Sequence, residues 1–210
     1  MLNSKGFDRW AEDYDDDVDA SDEANSYPFA GYNKVLDYIY QIILHTPSAT
    51  VLDLGFGTGI LTTRLYESGC KIYGQDFSSK MIDLAARKMP KAHLYQEDLT
   101  QGLVQPLQDQ RYDYIVASYA LHHLTDEQKK DLLTSLLDQL KENGQILIGD
   151  IAFESQTALE ACKKKAGRSW DNDEIYFVMD EWKTYFPSLS FTKLSSCAGV
   201  IQIGTSPTDL

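Results

Sequence analysis

Apolar positions along this chain switch between two periods. Val35, Leu36, Ile39, Ile42 and Ile43 recur at helical spacing and make one stripe of a helix, which His45-Thr46-Pro47 ends. Short apolar runs follow, each bounded by turn residues: 50–54, 71–75, 92–95, 112–118 and 145–149. Helical patterns lie between them. One covers 60–67 with Gly69 as its stop, and a second follows Ser78 and stops before Pro90. Thr125-Asp126-Glu127-Gln128 is a capping box that starts another helix near Asp126. Strands alternating with helices predict an α/β fold, a doubly wound and mostly parallel sheet with helices on both faces. After Asp150 the rhythm breaks. Residues 155–186 read as helical with a polar bend over 167–173. Residues 190–197 and 200–204 read as two strands across a turn short enough only for an antiparallel pair.

The first strand runs into Val51-Leu52-Asp53-Leu54-Gly55-Phe56-Gly57-Thr58-Gly59. Glycine lacks a Cβ, so it takes positive φ readily and lets a ligand approach the backbone. The N–H groups at the start of the next helix favour a negative ligand group. Asp76 closes the second strand, 21 positions after Gly55. An acid at that distance is placed to accept hydrogen bonds from a ribose diol. The dinucleotide fingerprint G-x-G-x-x-G would need glycine at position 60, where Ile60 stands. Asp53 would repel a pyrophosphate but suits a ligand with an ammonium group. These features describe a nucleoside crevice without phosphates, and S-adenosylmethionine (SAM) carries an amino group, a carboxylate, a sulfonium and a ribose.

The pattern D-x-G-x-G-x-G resembles motif I of the class I SAM-dependent methyltransferases. Gln96-Glu97-Asp98-Leu99 is similar to the family segment that reads adenine, Asp98 binding its amino group and the Leu99 amide reaching the ring. Tyr112–Ser118 looks like the family's fourth strand, after which the chain passes the methionine moiety. Lys141-Glu142-Asn143-Gly144-Gln145 resembles the L-K-P-G-G turn into strand five, with Asn143 in place of proline and Gln145 in place of the second glycine. Asn-Gly still suits a tight turn. The opening Phe7–Asp15 looks like the start of many small-molecule methyltransferases. Phe29-Ala30-Gly31-Tyr32 is similar to bacterial methyltransferases of methionine and SAM recycling. The resemblance implies a Rossmann-like seven-stranded sheet with one antiparallel C-terminal strand. It also implies SAM as cofactor, S-adenosyl-L-homocysteine as product, and Asp53, Gly55, Gly57, Gly59, Asp76, Phe77, Asp98, Leu99 and Ser118 as cofactor-binding residues.

At 210 residues, one domain with one core is expected. Within it, 1–46 reads as a helical cap or lid, 47–150 as the SAM-binding core, 151–187 as a helical insertion on the substrate side, and 188–204 as a C-terminal hairpin. No apolar run reaches the roughly 18 residues of a membrane helix. The N-terminus lacks a basic-then-apolar leader. Cys70, Cys162 and Cys197 show neither metal nor redox spacing, which suits a reducing cytoplasm and inert thiols. The net charge of −13 would repel a polyanion, so nucleic-acid and membrane partners are not expected. A small-molecule methyl acceptor is, for a monomer or homodimer. Asp8 to Glu23 holds nine acids and one base, either a solvated segment or a lid that draws in a cationic substrate.

Methyl transfer from a sulfonium is an in-line displacement with a good leaving group, so it demands alignment more than a catalytic dyad. The candidate base lies in Ser118-Tyr119-Ala120-Leu121-His122-His123-Leu124. The alternative is that one histidine is surface-exposed and the other packs under the next helix. His123 is favoured over His122 by resemblance, with Tyr14 and Tyr119 as walls for the methyl group. Asp150 either binds substrate or solvates a loop. Trp170, Tyr176 and Trp182 are pocket lining or core, and Lys163-Lys164-Lys165 an exposed helix face. No metal site is expected. Two other functions stay open: a non-catalytic SAM-binding regulatory protein, and an NAD-dependent oxidoreductase. Methyl transfer into a cell-extract fraction separates the first, and fluorescence on NADH against SAM the second.

Overall fold

The computed structural model describes residues 26–204. Its elements run α1 (Tyr32–Leu44), β1 (Thr50–Leu54), α2 (Ile60–Glu67), β2 (Lys71–Asp76), α3 (Ser79–Lys88), β3 (His93–Gln96), α4 (Gln105–Gln108) and β4 (Tyr112–Ser118). They continue α5 (Asp126–Leu137), β5 (Leu140–Phe153), α6 (Gln156–Ala166), β6 (Phe177–Val178), α7 (Met179–Tyr185), β7 (Ser190–Lys193) and β8 (Ala198–Gly204).

The main sheet has the order β3-β2-β1-β4-β5-β8-β7. Pairing is parallel from β3 through β5. β8 runs antiparallel to both β5 and β7. It is thus the reversed strand of a seven-stranded path, as the resemblance implied. From β1 the chain moves outward to β2 and β3, then returns to the other side of β1 with β4. The connections after β1 and β4 therefore diverge, and a crevice opens at the carboxyl ends of these strands.

Period-two alternation divides the apolar side chains between two layers. Leu52 and Leu54 of β1, Ile115 and Ala117 of β4, and Ile146 and Ile148 of β5 face one cluster with Leu132, Leu133 and Leu136 of α5. Val51, Val116 and Leu147, from the same strands, face the other cluster with Val35, Leu36, Ile39 and Ile43 of α1 and Leu61 and Leu65 of α2. Helices thus cover both faces. Capping follows the sequence: Ser78 accepts from the Met81 N–H at the start of α3, and Thr125 and Gln128 form the predicted box on α5.

Three elements differ from expectation. β5 extends past Gly149 to Phe153, because 149–151 continue to pair with 198–200 of β8 and Ala152 and Phe153 pair with Phe177 and Val178. Asp150 broke the apolar run and hid that extension. Those pairings also place β6 inside the segment read as helical, and its Phe177 and the Trp182 of α7 are core residues. The segment 151–187 is therefore woven into the fold. β7 ends at Lys193, since 194–197 form the turn. Helix α1, within the expected 1–46 cap, packs in a core layer, and residues 1–25 of that cap lie outside the described residues.

Helix α1 meets the sheet at a glycine. A Cβ on Gly149 would fall 2.5 Å from Val35 Cγ1 and 2.8 Å from Ile39 Cδ1. Val35 is β-branched and cannot swing clear. Gly149→Val is expected to cost about 1–3 kcal/mol. It should lower the urea midpoint without changing the slope. Lys164→Ala, on the exposed face of α6, should stay within about 0.5 kcal/mol.

Candidate active site

The turn after β1 is built from positive-φ glycines. Gly55, Gly57 and Gly59 have φ of 69°, 55° and 80°. A Cβ on Gly57 would meet no atom within 4 Å, so its backbone borders open space. A Cβ on Gly59 would instead press on Met89 and Ala85, making it a packing glycine at the start of α2. Asp76 ends β2 with 4% exposure. Its Oδ2 accepts the Gly57 N–H at 2.9 Å and its Oδ1 the Ser78 N–H at 2.9 Å. One carboxylate thus ties the glycine turn to the start of α3.

A cavity opens between these two strand ends and the end of β4. Gly55, Gly57, Asp76, Phe77, Asp98, Leu99, Ser118 and His123 line it, with Tyr32 and Tyr119. The 98–104 segment is held in place by the buried Gln75, whose Nε2 donates to the Gly102 carbonyl and whose Oε1 accepts from Val104.

The far wall is the loop after β4. Asp150 is fully buried in β5, and its Oδ2 accepts the N–H groups of Leu121 and His122 at 3.2 Å each. Its Oδ1 accepts the Ile151 N–H at 2.8 Å and pairs with His122 Nδ1 at 2.6 Å. Burial opposes the charge on both partners. Their mutual attraction and hydrogen bond prevail, holding Asp150 below and His122 above their usual ranges. Tyr119 takes a left-handed φ of 50° in the same loop. His123 follows with its imidazole pushed down to about 3, by burial first and then by the neighbouring His122 charge.

Residues 51–144 match the family described as a methyltransferase domain. An uncharacterized methyltransferase of Anoxybacillus flavithermus is 32% identical over 183 residues, 87% of this chain and 83% of that protein. One from Geobacillus thermodenitrificans is 32% identical over 194 residues, 89% and 87% of the two chains. This chain belongs to the class I SAM-dependent methyltransferases. Solved structures agree in fold. A complex described as DhpI with S-adenosylhomocysteine (SAH) superposes with TM-score 0.71 at 18% identity, over 97% of this chain and 95% of that one. The magnesium protoporphyrin IX methyltransferase of Synechocystis, with bound SAH, gives 0.66 at 18% identity over 84% and 85%.

In this methyltransferase the cavity gathers most of the cofactor residues read from the sequence, but not Asp53 or Gly59. Asp53 lies beneath the glycine turn at zero exposure. Its Oδ2 accepts from Thr62 Oγ1 at 2.5 Å, and its Oδ1 has no hydrogen-bond partner among the described residues. Tyr14 lies outside the described residues, as does the acidic run. Asp150 neither solvates a loop nor lines the cavity. Trp170, Tyr176 and Trp182 are core, and Lys163, Lys164 and Lys165 are exposed.

Sequence reading missed two charged residues that pack behind the loop after β4. Lys129 is fully buried, with its ammonium on the Ile175 carbonyl and 4.6 Å from the Phe177 ring centre. Glu174 faces His122 across 3.6 Å. No signal marked either: Lys129 lies next to the exposed start of a capped helix, and Glu174 in a polar bend.

Burial is the main cause that pushes the Asp53 carboxyl up to about 7; Thr62 pulls it down and the Asp76 charge pushes it further up. A folded-state pKa above the unfolded one means that the folded chain binds the extra proton. Stability from this group is full below about pH 4 and is lost as pH rises toward 7. Asp53→Asn removes that loss while keeping an acceptor for Thr62. In ligand-free protein its stability relative to wild type should improve by a few kcal/mol between pH 4 and pH 8. A difference that is flat with pH in urea titrations would contradict the buried, half-satisfied carboxylate.

Proposed function

We propose that this methyltransferase transfers a methyl group to a small-molecule acceptor, with the cofactor at the Gly57–Asp76 end of the cavity and the acceptor at the His123 end. The observation that carries this reading is that one cavity joins the two ends. SAM supplies the activated methyl group.

The residues fit that cofactor. Asp76 is a buried-edge carboxylate at the end of β2, placed for the ribose hydroxyls. Gly57 leaves open the space that a side chain would fill. Asp98 and Leu99 border the same cavity, which supports their reading as the adenine contacts. Ser118 and the Gly55 turn border it where β1 and β4 diverge, which supports their reading as contacts of the amino-acid part. Asp53 does not reach the cavity, so any attraction it exerts on an ammonium acts through the turn.

Alignment carries the chemistry. Holding nucleophile and methyl carbon in line supplies about 7–11 kcal/mol of barrier reduction. A His123 imidazole at about 3 is a weak proton acceptor, so it positions the acceptor by presenting a neutral ring. The net charge of −13 supports a small acceptor over a nucleic acid.

Hydrogen bonds to a charged group contribute roughly 1.5–3 kcal/mol each. Asp76→Ala should therefore weaken SAH by at least tenfold in calorimetry. With methyl-labelled SAM and a cell extract, label should enter the small-molecule fraction. Unchanged affinity would remove Asp76 from the site, and label in protein or nucleic acid would overturn the acceptor class.

A further inference from the structure

We propose that His122, His123 and Glu174 form a binding site for one divalent first-row transition metal ion at the acceptor end of the cavity. Each residue offers one donor atom, and the three atoms lie within 4.8 Å of one another. The two imidazoles come from the turn after β4, the carboxylate from the segment before β6. The Ile175 N–H donates to the His122 carbonyl at 2.9 Å and holds the two segments side by side.

With His122 protonated, Nε2 and Glu174 form an ion pair; an ion that displaces the proton would take its place between the same two atoms. His122 Nε2 and Glu174 Oε1 are 3.6 Å apart. That is too long for a hydrogen bond. It is close to the separation, about 3.4 Å, of two donors that each lie about 2.0–2.1 Å from one tetrahedral ion. The rings of His122 and His123 have centroids 4.1 Å apart, and the His123 donor nitrogen lies within 4.8 Å of the other two donors.

His122 and Glu174 have the outer support that metal ligands need. The Nδ1 of His122 is committed to Asp150 Oδ1 at 2.6 Å, which turns Nε2 toward Glu174. A carboxylate behind a ligating histidine fixes its tautomer and orientation. Tyr176 Oη donates to Glu174 Oε2 at 2.6 Å, leaving Oε1 to face His122. Two imidazoles and one carboxylate suit zinc, manganese or ferrous iron better than calcium or magnesium, which prefer all-oxygen sites. Among the described residues the site has three protein ligands, which leave coordination positions open, the layout of a catalytic rather than a structural ion.

His123 borders the cofactor cavity, so an open position there faces the acceptor. The ligand class that would fill it is an acceptor with a hydroxyl, phenol or carboxylate oxygen. With the ion bound, positioning of the acceptor passes from the His123 ring to the ion. That acceptor class rests on the methyltransferase reading, whereas the ion site does not.

The test uses the full chain, freed of metal by chelation. Co²⁺ should develop visible absorption that saturates at one ion per chain, and Zn²⁺ calorimetry should give the same stoichiometry. Glu174→Gln and His123→Ala should each weaken Zn²⁺ by at least 100-fold. Tyr176→Phe, which strips only the outer support, should cost about 10–100-fold. Glu174→Gln should still gain thermal stability with SAH, which shows that it folds. No stoichiometric ion in the wild-type protein would overturn the proposal, as would wild-type affinity in both ligand variants. An ion-free wild type that SAH still stabilises would sink the ion site alone. A bound ion without SAH stabilisation would support the site and sink the cofactor reading.

Discussion

Asp150 sits in the middle of a central strand with no exposure to water. A lone carboxylate there would be very costly to bury. It is stable because four donors converge on it: the N–H groups of Leu121, His122 and Ile151, and the His122 ring. The consequence runs outward. Satisfying this carboxylate fixes the turn after β4 to β5, and that turn carries His123 to the cavity wall. The same bond orients His122 toward Glu174. Removing one partner would leave an uncompensated buried charge, a loss of about 3–5 kcal/mol. The architecture of the His123 end of the cavity therefore follows from one buried group.

Asp76 plays the parallel part at the other end. It draws the Gly57 and Ser78 amides together, so the glycine turn and the start of α3 share a single anchor. Asp53 lies behind the same turn, half-satisfied and pushed toward neutrality. Burial is the first cause of that shift, and the nearby Asp76 adds to it.

The parts legible in the sequence were those with local causes. The glycine turn needs residues that accept positive φ, and Gly55, Gly57 and Gly59 announce it. The box at Thr125 is a four-residue signal, and α5 begins where it says. The alternation in β1 and β4 encodes a sheet covered on both faces. What stayed hidden depends on contacts between distant segments. Lys129 is buried only because Ile175 and Phe177 return to cover it. Glu174 gains its place by facing His122, 52 positions away in the chain. β6 is two residues long and exists only by pairing with an extended β5. Asp53 stood at a strand end, where alternation sends its side chain toward Thr62 of α2 rather than into the cavity.

The central claim is that the crevice between β1 and β4 holds the cofactor and that Asp150 presents the acceptor wall beside it. Amide hydrogen exchange on the full chain, with and without S-adenosylhomocysteine, tests this most directly. The account predicts slower exchange in 55–59, 76–78, 98–100 and 118–123, with little change in α6. Unchanged exchange across all four segments at saturating ligand would contradict it, as would protection confined to another face of the sheet.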